Sequence, residues 1–107
     1  SISVKELSAL LDEAGALVLI DVRNPSEADI AVIPGAQLVP LARIESGEGI
    51  EEIRGLAGTR PIYVHCKLGG RSARAVELLA QQGLEATNVS GGIDAWSQEV
   101  DAAVPRY

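Results

Sequence analysis

The chain has 107 residues, a formal net charge of −6 and 47% hydrophobic content, with no Phe, no Met and one Trp. That length suits one domain built on a single core of Leu, Ile, Val and Ala. The acidic balance, without any run of Lys or Arg, argues against nucleic acid or an anionic membrane as the main partner. The one cysteine excludes an internal disulfide and a cysteine-rich zinc site, so no metal is expected. No secretory or membrane-length apolar run is visible, and the expected compartment is the reducing cytoplasm. Residues 1–107 read as one unit without repeats or linkers; the missing initiator Met fits a processed start as well as a segment excised from a longer protein.

In chain order, Ser3 and Glu6 have capping-box spacing, and Val4, Leu7, Leu10, Leu11 and Ala14 recur on one face of a first helix that ends at Gly15. Leu17 to Val22 is a continuous apolar run of strand length, expected at the centre of a parallel sheet covered on both faces. Asn24-Pro25-Ser26-Glu27 spells a second, short helix start, with Pro25 at the first helical position and Glu27 reaching back to the cap. A brief strand is expected over Ala36 to Pro40, then one or two helical turns between Leu41 and Leu56. Pro61 to Cys66 reads as a β-rich strand. From Ser72 the pattern turns helical, with Ala73, Val76, Leu79 and Ala80 on one face up to Gly83. A last strand over Ala86 to Val89 and a closing helix over Ile93 to Val100 complete the chain. This alternation predicts an α/β fold: a central parallel sheet of four or five strands with helices on both faces.

Cys66 ends a predicted strand, Lys67 to Gly70 form a tight loop, and a helix is expected to begin near Arg71 or Ser72. Such a loop is a helix N-terminus seen end-on, where unpaired N–H groups and the helix dipole favour an anion. The two glycines let the backbone close around a ligand on the sulfur, and Lys67 and Arg71 add positive charge. Each feature favours thiolate over thiol, which in comparable settings takes a cysteine pKa from about 8.5 to roughly 3.5–7.5. Taken alone, a single cysteine reads as a small buried hydrophobe; its place in this loop makes it the candidate nucleophile. His65 is adjacent, but neighbouring strand residues point to opposite faces, so it is expected to be structural rather than half of a Cys-His dyad.

The strand-cysteine-loop-helix unit, with "DVR" at Asp21 to Arg23, "IPGA" at Ile33 to Ala36 and "VSGGIDAW" at Val89 to Trp96, resembles a rhodanese-like sulfurtransferase domain over nearly the whole chain. It looks most like the C-terminal domain of fused adenylyltransferase/sulfurtransferases of the MoeZ and MoeB type, and Val32, where a His commonly stands, departs from the family pattern. The resemblance implies that Cys66 accepts a sulfane sulfur as a persulfide, without a cofactor. The loop Lys67, Leu68, Gly69, Gly70, Arg71 and Ser72 would hold the outer sulfur by its backbone N–H groups. It further implies a sulfur donor such as thiosulfate or a cysteine desulfurase, fusion to an adenylyltransferase domain, and thiocarboxylation of a ubiquitin-like sulfur carrier protein, as in molybdopterin biosynthesis. Asp21 and Arg23 are expected to fix loops, and Trp96 to anchor the core.

Two alternatives remain. "HC…RS" also resembles low-molecular-weight cysteine-dependent phosphatases and arsenate reductases, whose loops place five residues between Cys and Arg. Here there are four, Lys67 to Gly70, and the smaller cradle suits one sulfur better than a tetrahedral oxyanion. A non-catalytic interaction module is the other, though it would more naturally have lost the cysteine.

Overall fold

A computed structural model describes residues 1–13 and 15–107. Four parallel strands, β1 (Val18–Asp21), β2 (Gln37–Leu38), β3 (Ile62–His65) and β4 (Ala86–Asn88), form one sheet in the order β2-β1-β3-β4. The register pairs Val18 with Ile62 and Asp21 with His65. Beyond β4, Ile2 makes an isolated parallel bridge to Val89. The apolar run of β1 is buried along its whole length, as expected of an inner strand covered on both faces.

Side-chain alternation divides the expected single core into two layers, one on each face of the sheet. On one face Val18, Ile20, Ile62, Val64 and Cys66 pack with Ile44, Ile50, Ile53, Ala75 and Leu79. These come from α3 (Leu41–Glu45), α4 (Glu48–Ala57) and α5 (Gly70–Gln81). On the other face Leu19 packs with Val4 and Leu7 of α1 (Val4–Leu11), with Ile93 and Trp96 of α6 (Gly92–Glu99), and with Ala31, Ile33 and Val104. Burying each such Leu or Ile contributes about 1.5–3 kcal/mol.

The helix starts follow their sequence signals. Ser3 Oγ accepts from Glu6 N and the Glu6 carboxylate accepts from Ser3 N, both at 3.1 Å. In α2 (Pro25–Ala28), Glu27 Oε1 accepts from Asn24 N at 3.1 Å. The predicted first helix ran to Ala14; α1 ends at Leu11, and Ala14 lies outside the described residues.

Three expectations are corrected. Between Leu41 and Leu56 there are two helices rather than one or two turns, because Gly47 and Gly49 interrupt the apolar period that Leu41, Ile44, Ile50 and Ile53 otherwise keep. The helix after the cysteine starts earlier than predicted, at Gly70, so the loop proper is Lys67 to Gly69. Its inward face is Ser72, Ala75 and Leu79, while Ala73 and Ala80 are exposed. Ser72 faces inward because it serves the cysteine, and a count of apolar residues passes over it.

In this strand order the chain leaves β1 towards β2 on one side and later lays β3 on the other. The carboxyl ends of β1 and β3 therefore flank a topological switch point, where such sheets place their sites. Asp21 and His65 end these two strands, and Cys66 follows directly.

Candidate functional site

Cys66 is 1% exposed and sits on the α5 side of the sheet. Its Sγ accepts a hydrogen bond from Gly69 N at 3.0 Å and lies 3.4 Å from Ser72 Oγ. Burial pushes the thiol up, but the Ser72 hydroxyl and the backbone N–H groups of Ser72, Gly69 and Leu68 outweigh it, and the pKa falls below the ordinary thiol value. Alkylation of Cys66 by iodoacetamide should therefore level off at lower pH than alkylation of free cysteine. The sign follows from the lowered pKa: as pH falls, the thiolate persists until the folded value is crossed. An inflection at or above that of free cysteine would show that the loop does not stabilise the anion.

The inward aim of the N–H groups has a cause in neighbouring elements. A peptide's C=O and N–H point in opposite directions, so tying a carbonyl outward turns the next N–H inward. Helix α6 ties two of them: Ile93 N donates to Cys66 O at 2.9 Å and Asp94 N to Lys67 O at 3.1 Å. Asn88, at the end of β4, ties a third, with Nδ2 donating to Gly69 O at 3.3 Å. Of the N–H groups that share these peptides, that of Leu68, opposite the tied Lys67 carbonyl, is one of those that stabilise the sulfur anion. Gly69 permits the turn, since its φ of +121° is a conformation that L side chains rarely adopt.

Ser72 Oγ has one proton for three acceptors: Asn88 Oδ1 at 2.5 Å, Gly69 O at 3.1 Å and the cysteine sulfur. An anionic sulfur gives that proton reason to turn inward, and Asn88 holds the hydroxyl in place meanwhile. Sequence reasoning missed Asn88, because its role depends on β4 lying beside β3.

His65 faces away from the thiol, as the strand alternation predicted. It is fully buried, with Nδ1 3.1 Å from Cys66 O and Nε2 3.9 Å from Asp21 Oδ2. Burial lowers its pKa, so the ring is neutral. Since a carbonyl only accepts, Nδ1 carries the proton. Its role is to fix the strand end.

Arg23 is likewise fully buried, and all five of its N–H donors are used. Nε and Nη2 bind the two Asp21 carboxylate oxygens at 2.9 and 2.7 Å, Nη2 also donates to Ala31 O at 2.7 Å, and Nη1 reaches Tyr107 Oη at 3.0 Å and Glu27 O at 3.4 Å. The pair thus fixes loops, as its place after β1 suggested.

The expected anion-binding cations are both engaged. The Arg71 guanidinium forms a two-pronged ion pair with Glu27, at 2.5 and 2.9 Å, and the Lys67 ammonium lies 4.6 Å from the centre of the Tyr107 ring. The Arg71 guanidinium holds the Glu27 carboxyl down at about 2, aided by Tyr107 and the Asn24 N–H against the opposing effect of burial. Leu68, 65% exposed, stands at the loop's outer tip. The site is thus a buried cysteine sulfur met by backbone and hydroxyl donors, with Arg71 at its rim paired to Glu27 and Lys67 against the Tyr107 ring.

Fold and site together define a class: parallel α/β domains that carry a buried cysteine, its sulfur met by a backbone N–H, on a strand-to-helix loop at the sheet's switch point. The Rhodanese-like domain family matches residues 3–99, and the chain belongs to that family. It is 40% identical over 108 residues to the probable adenylyltransferase/sulfurtransferase MoeZ of Mycobacterium tuberculosis, an alignment that spans the whole chain and 27% of that protein. It is 37% identical over 124 residues to the adenylyltransferase and sulfurtransferase MOCS3 of Sus scrofa, covering 99% of this chain and 27% of that one. The chain therefore spans about a quarter of each of these relatives. Among solved structures, the human single-domain sulfurtransferase TSTD1 superposes with a TM-score of 0.74 at 28% identity, covering 92% of this chain and 96% of that one. No helix of the described residues is long and apolar enough to cross a membrane.

Proposed function

We propose that the domain is a sulfurtransferase that carries sulfane sulfur as a persulfide on Cys66. The observation that carries this reading is the buried sulfur receiving the Gly69 N–H at 3.0 Å, inside a loop whose Cys66, Lys67 and Gly69 carbonyls are held by α6 and Asn88. Fixed donors of this kind stabilise a sulfur anion without reorganising at the moment of reaction.

With thiosulfate as donor, the Cys66 thiolate attacks the outer sulfur, a new S–S bond forms, the old one breaks and sulfite leaves with its two negative charges. The product is Cys66–S–S⁻. A nucleophile such as cyanide then takes the outer sulfur as thiocyanate and regenerates the thiolate. No bound cofactor or metal enters either step.

The likeness to MoeZ and MOCS3 supports a finer reading. In it a cysteine desulfurase or a small sulfane donor loads Cys66, and an adenylyltransferase domain, fused or separate, activates the C-terminus of a ubiquitin-like sulfur carrier as an acyl-adenylate. The outer persulfide sulfur attacks the acyl carbon and AMP leaves, forming an acyl disulfide. A thiol then cleaves that disulfide to release the thiocarboxylate. The chain has one cysteine, so the cleaving thiol comes from a partner or from solution. A reducing compartment such as the cytoplasm suits this thiol.

The test is to treat the purified domain with thiosulfate, record the intact mass, and then add cyanide. A gain of one sulfur that cyanide removes as thiocyanate is the expected result. An unchanged mass with thiosulfate, and again with a cysteine desulfurase and cysteine, would overturn the reading.

A further inference from the structure

The residues that close the chain build one wall of the candidate site. Val104 is buried in the α1/α6 layer, its carbonyl accepts from Ser97 Oγ at 2.6 Å, and Arg106 Nε donates to Asp94 at 3.1 Å. This anchored segment brings Tyr107 against Lys67, Glu27 and Arg23. The ring face lies against Lys67, while Oη donates to Glu27 Oε2 at 2.7 Å and accepts from Arg23 Nη1 at 3.0 Å. Glu27 is thereby fixed from three sides, by the α2 cap N–H, the Tyr107 phenol and the Arg71 fork. A continuous chain of bonds runs from Asp21 through Arg23, Tyr107 and Glu27 to Arg71, on the first turn of α5.

This arrangement bears on the charge an incoming donor meets. Arg71 is neutralised by Glu27 and Arg23 by Asp21, which leaves Lys67 as the unneutralised charge among these rim groups. A fork with both prongs on a carboxylate is the strongest form of side-chain ion pair, and Arg71 in it cannot present the same donors to a substrate. A small free dianion must also approach a chain of net charge −6, with long-range repulsion setting its encounter rate.

We infer that Glu27 and Tyr107 act as specificity-determining residues: by occupying Arg71 they disfavour small dianionic donors and reserve Cys66 for a persulfide presented at the end of a thiol side chain. The inference rests on the sulfur-transfer reading above. In the favoured step the Cys66 thiolate attacks the outer sulfur of R–S–SH; the new S–S bond forms, the old one breaks, and R–S⁻ departs. The proton remains on the transferred sulfur until solvent takes it. No dianion enters or leaves, so no second cation is required.

The experiment compares loading of Cys66 from thiosulfate and from cysteine persulfide in the wild type, in Glu27→Gln and in Glu27→Gln/Arg71→Gln. Glu27→Gln should raise kcat/KM for thiosulfate about tenfold, chiefly through KM and most strongly at low ionic strength, as expected for a released charge. Cysteine persulfide loading should stay within about twofold, and the double variant should lose the gain. Should Glu27→Gln fail to fold, Tyr107→Phe keeps the ring beside Lys67 but removes one of the two donors on Glu27 Oε2, loosening the carboxylate that holds Arg71, and should give a rise of about threefold with thiosulfate alone. An unchanged thiosulfate rate, or an equal fall with both donors, would show Glu27 to be merely structural and overturn the inference while leaving sulfur transfer intact. A wild type that takes sulfur from neither donor would overturn both.

Discussion

Cys66→Ala is expected to take up no sulfur from any donor and to turn over no thiocyanate, a loss of at least about 10³-fold that ends at the detection limit. The loss is complete because no second thiol exists in the chain to act in its place. The fold should survive: Cys66 lies against aliphatic neighbours on the α5 face, and replacing its thiol by a hydrogen removes one acceptor and a small volume, costing about 1 kcal/mol. Cys66→Ser separates placement from chemistry. A hydroxyl there can still accept from Gly69 N, but an alcohol without a general base is a poor nucleophile, and His65 on the opposite face is in no position to serve. Loading should vanish in both variants, with circular dichroism melts close to the wild type. Sulfur added to either folded variant would place the acceptor elsewhere and refute the role assigned to Cys66.

What could be read from the sequence follows the range of the interactions involved. β1 and β3 were legible because a strand covered on both faces is written as an unbroken apolar run, and the caps at Ser3 and Asn24 because their partners lie three residues away. The position of Cys66 at a strand end, and of His65 on the other face, followed from alternation alone. The partners of the loop cations did not. Glu27 meets Arg71 across 44 residues of sequence and Tyr107 across 80, and nothing local marks them as neighbours. Glu27 had already been accounted for as part of a cap, and a residue that serves twice hides its second role. Asn88 sits in a weakly apolar strand and carries no signal until β4 is placed beside β3. The face of α5 was misjudged for a related reason. Its phase is set by Ser72, a polar residue turned inward by the thiol, so apolar periodicity selected Ala73 and Ala80 instead.

The same long-range logic makes Gly92 the position where one methyl group should do most harm to the fold. Its φ is +56°, and a Cβ there would stand 2.3 Å from Cys66 O and 2.5 Å from Lys67 O. Both neighbours are backbone, so no side chain can swing aside. The carbonyls it would strike are those that α6 ties outward through Ile93 N and Asp94 N. Gly92→Ala must therefore push α6 away from the loop, breaking two hydrogen bonds and adding strain of about 1–3 kcal/mol for the positive φ. A total cost of about 3 kcal/mol or more would lower the melting temperature by more than about 10 °C in a domain of this size. Gly70→Ala is the matched control. No atom lies within 4 Å of where its Cβ would stand, its φ is not positive, and it begins a helix, so alanine should be neutral or stabilising by up to about 1 kcal/mol. A calorimetric or dichroism melt of the two variants decides the matter. Equal, small shifts would mean that α6 is free to move from the loop, and the outward tie on the Cys66 and Lys67 carbonyls would lose its role in aiming the N–H groups at the sulfur.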